Sequence, residues 1–426
     1  MKKILLSNIF TIILISNLSA QILSGRISSA VYSFERFESR DVSNKFLRSF
    51  QYANLNVSKN KFALRTTFTV EKDLIKNISY DPRIRFYNLY FEGKDIFNLV
   101  TFKIGRQPLY HSVASGLFDG LSGEFKYNKF KFTGYYGGNL PAYQKFGLIK
   151  DWKNNYLFGG KFQFNLMDLY LTLGYLNKNY KSEDYYATRL DENFVPYTVI
   201  VKPPSTQYEF FNAELGYSLN KFSFDTRLFY DLNFDKISRF EFNGDFNFVK
   251  NLNLNLYYNF REPLIRYNSY FTIFESVVQN SQEIELGANY RINSALNLIG
   301  KIGLVKYSDD NSTRISVGII SPIGVISYKK NFGYAGDLDG ISLFTNYSLF
   351  KGILTPALGL NYYSYRLSSN DDKNTVLALL LGMNFRPLRI LSFDIQGQYL
   401  SNKIYKNDLR LFLKINYWFN TNLKVL

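Results

Sequence analysis

Asn251-Leu252-Asn253-Leu254-Asn255-Leu256 alternates polar and apolar residues without a break. Successive side chains of a strand point to opposite faces, so this stretch makes a strand with one polar and one apolar face. Wound as a helix, it would scatter its leucines around the axis. The same period of two recurs along the chain. Phe222, Phe224, Thr226, Leu228, Tyr230 and Leu232 make one face, with Ser223, Asp225, Arg227 and Asp231 on the other. Phe240, Phe242, Phe246 and Phe248 alternate with Arg239, Glu241, Asn243, Asp245 and Asn247. Near the end, Leu409, Leu411, Leu413, Ile415, Tyr417 and Phe419 alternate with Arg410, Lys414 and Asn416.

The period of two predicts about 22 strands, within a range of about 18 to 22. They begin near residues 25, 46, 61, 83, 97, 116, 129, 155, 168, 206, 221, 236, 251, 282, 295, 312, 323, 338, 353, 373, 388 and 404. Short connections rich in Asn, Gly, Pro and Lys, such as Ser58-Lys59-Asn60, Asn128 and Asn220-Lys221, carry turn chemistry. Longer polar connections lie between them, at 71–82, 107–115, 138–154, 178–205, 261–281, 331–337 and 367–372. Alternating short turns and long loops mark an all-β, antiparallel up-and-down transmembrane barrel with periplasmic turns and extracellular loops. One run, Val376-Leu377-Ala378-Leu379-Leu380-Leu381, is apolar on both faces. Either a loop packs on that strand from inside, or the run is helical.

Composition fits this reading. Of 426 residues, 18% are aromatic, with 40 Phe and 35 Tyr against 2 Trp. A barrel uses such rings on its lipid face and at both membrane boundaries. Cysteine is absent, which excludes disulfides, thiolate nucleophiles and Cys-ligated metals. No segment beyond the N-terminus offers about 18 consecutive apolar residues, the length a spanning helix needs. A closed barrel is the other way to satisfy every backbone group in lipid. Residues 1–20 have a leader layout: Lys2 and Lys3, a mostly apolar Ile4–Ile15, then Leu18-Ser19-Ala20 before a cleavage point. Residues 21–426 then form one barrel domain in the bacterial outer membrane. Strand one starts within a few residues of that point, leaving no length for an N-terminal plug. A 22-stranded barrel is roughly 45 Å across, too wide for side chains to fill. Folded-in loops are the remaining filler, and 178–205 (with Pro196, Pro203 and Pro204) and 261–281 are the expected ones.

The formal net charge is +16. On eight strands with unambiguous faces, the polar side carries Arg65, Arg227, Arg239, Arg291, Lys301, Arg314, Arg410 and Lys414. It also carries Glu71, Asp225, Asp231, Glu241, Asp245, Glu283, Glu285 and Asp394, so the lumen reads as charged but balanced. The basic excess falls in turns and strand ends such as Lys59, Lys129, Lys221 and Lys250. No basic stripe with interleaved aromatics points to nucleic acid.

Phe102-Lys103-Ile104-Gly105-Arg106-Gln107, followed by Gly116-Leu117-Phe118-Asp119-Gly120, resembles the Gly-Arg-Gln … Asp-Gly pattern of alginate-export-type outer-membrane barrels and related porin-like families. The resemblance implies a transport barrel, and in those relatives acidic polysaccharide passes a basic lumen. Read as residues, the motif poses a puzzle. Val100, Phe102 and Ile104 face lipid, so alternation puts Arg106 there too, and Asp119 likewise beside Leu121 and Phe125. Two arrangements resolve it: the two side chains pair across the strands at the rim, or a bulge at Gly105 turns Arg106 into the lumen. The single histidine, His111, lies near Ser112 and Ser115 but lacks the one-face spacing of barrel phospholipases. No catalytic, cofactor or metal site is expected. Tyr417-Trp418-Phe419 resembles the terminal aromatic signal read by the barrel-assembly machinery, although Asn420–Leu426 follow it.

The composite expectation is a porin-like outer-membrane channel for small hydrophilic solutes, in contact with outer-membrane lipid. Arg65, Arg106, Asp119, Arg227, Arg239, Asp245, Lys301, Arg314, Arg410 and Lys414 are its candidate lumen or rim charges. Polysaccharide export and a loop-plugged structural barrel are the alternatives. No strand is marked as a subunit interface. Mass spectrometry of the membrane-extracted chain should find Gln21 as the first residue; a retained Met1 would remove the leader from this scheme.

Overall fold

The structure is a computed structural model that describes residues 21–39, 42–110, 115–141, 146–181, 184–202, 206–265, 279–307, 310–334, 336–368, 370–405 and 407–423. Residues 1–20, on which the expected leader falls, and His111, Ser112, Pro203, Pro204 and much of 261–281 lie outside the described residues. The strands are β1 (Gln21–Phe37), β2 (Ser43–Lys59), β3 (Phe62–Asp73), β4 (Arg83–Ile96), β5 (Val100–Tyr110), β6 (Ser115–Tyr127), β7 (Phe130–Leu140), β8 (Tyr156–Leu166), β9 (Leu169–Asn179), β10 (Tyr185–Leu190), β11 (Pro196–Val201) and β12 (Thr206–Leu219). They continue as β13 (Phe222–Asp231), β14 (Lys236–Val249), β15 (Leu252–Arg261), β16 (Ser281–Arg291), β17 (Asn297–Tyr307), β18 (Asp310–Ser321), β19 (Gly324–Gly333), β20 (Asp337–Asn346), β21 (Leu354–Arg366), β22 (Asn374–Leu388), β23 (Leu391–Ser401) and β24 (Asp408–Leu423).

Each barrel strand pairs antiparallel with its sequence neighbours, β9 pairs with β12, and β24 pairs with β1 from Gln21↔Leu423 to Ser33↔Leu411. The result is a closed 22-stranded sheet, the count expected from the alternation. The remaining two strands, β10 and β11, form a separate hairpin inside the 180–205 connection, which the alternation did not reveal. Val376–Leu381 is strand, not helix. Leu377, Leu379 and Leu381 face outward, while Val376, Ala378 and Leu380 are half-buried on the lumen side. The long–short alternation of connections relaxes over β17 to β20. There the far-end connections 308–309 and 334–336 are as short as the turns at the end bearing the termini.

Those short turns work because Asn tolerates left-handed backbone that most residues avoid. Asn60, Asn128 and Asn251 sit there with φ of 52°, 52° and 64°. Above them the outward face is apolar and accessible over most of its extent: Leu254, Leu286, Ile302, Val317, Ile326, Ile341, Leu411 and Ile415 are examples. Aromatic side chains cluster toward the turn end, as in the ring contacts of Phe130 with Phe162 and Phe164, and of Phe222 with Phe246. No helix among the described residues is long and apolar enough to cross a membrane.

One quarter of the wall is built differently. Gly105, Gly120 and Gly137 stand in register across β5, β6 and β7 on the lumen side. A Cβ on Gly120 would lie 2.2 Å from the Tyr136 carbonyl oxygen, and one on Gly137 2.5 Å from that of Asp119. The sheet coils too tightly here for any side chain. The same lumen face buries Leu109, Phe118, Tyr135, Leu157 and Leu176 as one cluster. Gly120→Val should therefore abolish most of the folded species, whereas Gly123→Ala, whose Cβ would meet nothing within 4 Å, should leave it intact. Heat-modifiable migration on a gel after refolding reads both; a folded Gly120→Val barrel would refute the packing argument.

The candidate pore and its charged lining

The lumen face of β13 to β18 is a ladder of opposite charges. Arg227 on β13 faces Glu241 on β14, with Arg227 also 3.4 Å from Asp225. Arg239 pairs with the same Glu241, onto which the Tyr257 hydroxyl also donates at 3.3 Å. Lys301 on β17 reaches Glu285 on β16 at 2.7 Å. Arg314 on β18 pairs with Glu283 on β16, two strands away. It can do so because Gly303, between them on β17, has no side chain in the path. Asp245 accepts from the Asn255 amide at 3.3 Å. On β24, Arg410 pairs with fully buried Asp408 of the same strand at 2.6 Å, and Lys414 stands opposite Asp394 of β23 in register. Exposed pairs of this kind contribute only about 0–1 kcal/mol each. Their effect is on field rather than stability, since neighbouring charges of opposite sign cancel at the distance of a passing ion.

The other half of the lumen departs from the balance expected. Arg65 does pair with Glu92, at 2.7 Å, and Lys103 approaches the same carboxylate at 3.7 Å. Yet the register also places Arg26, Arg85, Lys161 and Lys178 on the lumen face of β1 to β9. Arg26 lies over the Tyr52 ring at 4.8 Å, and Lys161 donates to the Tyr110 carbonyl at 2.9 Å. None of these cations stands on the eight strands tallied from the sequence, and for Arg85 and Lys178 there is a physical reason. A register shift between Thr67 and Phe68 breaks the alternation of β4 against β3. On β9 the lumen-side neighbours of Lys178 are Gly174 and Leu176, so that face does not read as polar.

A loop lies over this basic half. Asp81, in the connection 74–82, accepts from Arg48 at 3.0 Å and from the Asp73 backbone N–H at 2.8 Å. Asp73 in turn caps the Ile75 and Lys76 amides at 3.0 and 2.7 Å, and the Lys76 ammonium stands over the Phe46 ring. Arg48, Asp73 and Phe46 all belong to the lumen side, so 74–82 is pinned inward. The hairpin β10–β11 lies in the connection expected as lumen filler. Tyr186, Phe194 and Ile200 are exposed, so its side chains are not packed against a wall.

Arg106 and Asp119 are direct cross-strand partners, the first of the two arrangements considered. Gly105 has φ of 127°, but the β5–β6 register does not shift there and Arg106 stays on the outer face. The guanidinium donates to both carboxylate oxygens, at 2.7 and 2.9 Å, and to the Gly147 carbonyl at 2.8 Å. Asp119 also accepts from the Ile149 amide at 2.9 Å. Only 3% of either residue is accessible. The cover is 146–152, which runs over the outside of the barrel: Phe146 meets Phe86, and Trp152 meets Tyr136 edge-on. Gly138 makes the room, since a Cβ there would fall on Ile149 and Trp152. Arg106 and Asp119 thus anchor an external strap and do not line the lumen. Ser115 opens β6 with an exposed side chain. Among the described residues, no group of three His, Cys, Asp or Glu could hold a metal ion.

No family model matches the chain, and no curated protein does. Solved structures are similar at low identity. OccAB3 of Acinetobacter baumannii is 10% identical with a TM-score of 0.43, covering 94% of this chain and 99% of that one. OccK5 (OpdH) of Pseudomonas aeruginosa is 12% identical with a TM-score of 0.43, over 94% and 98%. The translocation pore of the P pilus usher PapC is 8% identical with a TM-score of 0.44, over 93% and 99%. Likeness this distant transfers neither solute nor mechanism.

Removing one member of a buried ion pair strands the other charge, a loss of about 3–5 kcal/mol. Arg106→Ala should destabilise the folded barrel by that amount in urea unfolding, and Arg106→Met with Asp119→Leu by much less. Equal losses would show that the strap, not the uncompensated charge, sets the cost.

Proposed function

We propose that the chain is an outer-membrane channel through which small hydrophilic solutes diffuse passively. The observation that carries this reading is a closed sheet whose outer face is apolar and whose inner face is charged over most of its circumference. Such a wall is stable only with hydrocarbon outside and water inside. A structural barrel has no need of a hydrated, ionised interior. The short turns then lie in the periplasm and the far-end connections outside the cell, and insertion by the barrel-assembly machinery follows from the outer-membrane location.

Passage is governed by the lining and calls for no chemistry. The paired ladder of β13 to β18 presents little net field, whereas Arg26, Arg85 and Lys161 give the opposite wall a positive bias. Selectivity follows the sign at the constriction, so the channel prefers anions weakly. Polymer export through the alginate-type motif is less well supported, because Arg106 and Asp119 are sealed on the outer face.

The refolded chain in a planar bilayer under a salt gradient should give steps of the nanosiemens order, with a reversal potential displaced modestly toward anions. Arg26→Gln with Arg85→Gln should reduce that displacement. Deleting 185–201 tests occlusion: unchanged conductance means that the hairpin does not narrow the pore, and larger steps mean that it does. Silent but folded protein would sink the open-channel reading, and a cutoff admitting long sugar polymers in liposome swelling would restore polymer export.

A further inference from the structure

The outer face carries one feature at odds with a lipid belt. Ser29 and Ser33 on β1, and Ser49 and Gln51 on β2, all point outward midway along their strands. Their neighbours in register on β24 are Ile415 and Leu411, well inside the apolar belt. The Gln51 amide donates to the Ser29 hydroxyl at 3.0 Å and to the Ser49 hydroxyl at 3.1 Å. That uses both amide hydrogens. The amide oxygen and the two hydroxyl hydrogens still need partners, and hydrocarbon supplies none. Outward threonines such as Thr66 and Thr226 donate to the backbone carbonyls of Asn88 and Glu241, and outward charged pairs such as Glu35 with Lys45 or Arg106 with Asp119 lie toward the loop end of their strands, where water or a strap meets them.

We propose that the β1–β2 face is an interface with a second copy of this chain, packed about a two-fold axis through the Gln51 patch. Several features favour this occupant. Acyl tails cannot hydrogen-bond, and headgroups do not reach the middle of the belt. The patch holds an acceptor in the Gln51 oxygen and donors in the serines, so a rotated copy meets each group with its complement. Buried amides and hydroxyls are the polar groups that membrane-spanning elements use to associate. Small side chains around them, Ala53 and Val31, let a second wall approach closely. The proposal rests on the outer face lying in lipid, which the experiment reads separately.

The chain has no cysteine, so a single introduced thiol reports alone. Gln51→Cys, expressed in the outer membrane of a Gram-negative host and oxidised there, should run at twice the chain mass on a non-reducing gel. Leu256→Cys, outward on the far wall, should not. The unmodified chain in mild detergent should have twice the chain's molar mass by light scattering, and Gln51→Leu should halve it while keeping heat-modifiable migration. Equal cross-linking from both sites, cross-linking of Gln51→Cys only to a protein of different mass, or no cross-link at all would each overturn the interface. A chain that fails to float with vesicles would overturn the membrane reading and the interface with it.

Discussion

Everything in this molecule depends on the pairing of β24 with β1. A sheet in hydrocarbon cannot leave a strand edge open, because each unmet amide or carbonyl there costs several kcal/mol with no water to answer it. Thirteen register pairs, from Gln21↔Leu423 to Ser33↔Leu411, close that edge. Closure fixes the strand number as even and brings both termini to one end. It also makes inside and outside two distinct solvents, so a single alternation of side chains decides what each residue meets.

That logic explains what was legible beforehand. Asn251–Leu256 reads as a strand because one face must be wet and the other dry, and the same contrast revealed the barrel strands and their number. It also placed Arg227, Arg239, Lys301, Arg314, Arg410 and Lys414 on the lumen side, where the register puts them. Where the contrast fades, so does the reading. On β9 the lumen side beside Lys178 is Gly174 and buried Leu176, so that lysine had no polar neighbours to identify its face. The shift at Thr67/Phe68 hid Arg85 in the same way. Long-range contacts were out of reach altogether. Arg48 and Asp81 are 33 residues apart, and no local pattern says that a loop turns inward to bring them together.

The motif Gly105-Arg106-Gln107 … Asp119-Gly120 shows how one segment can serve two sides of a wall. Its glycines face inward, where the sheet coils tightly around Phe118 and Tyr135. Gln107 also faces inward, donating to the Gly120 carbonyl at 3.1 Å and accepting from Ser122 at 2.5 Å. Arg106 and Asp119 face outward and hold the strap. Residues that a motif reading would assign to solute contact are thereby accounted for by the architecture of one corner.

The external strap also carries a consequence for assembly. Arg106 and Asp119 come early in the chain, while the residues that seal them, Gly147 and Ile149, come after β7. If strands are laid down in chain order, the β5–β6 hairpin reaches the bilayer with a bare ion pair on its lipid side. The pair's mutual neutralisation makes that intermediate tolerable, and the later arrival of the strap locks it. In that order the corner would act in time as well as in space, since a chain interrupted before residue 146 would keep its charges facing the lipid.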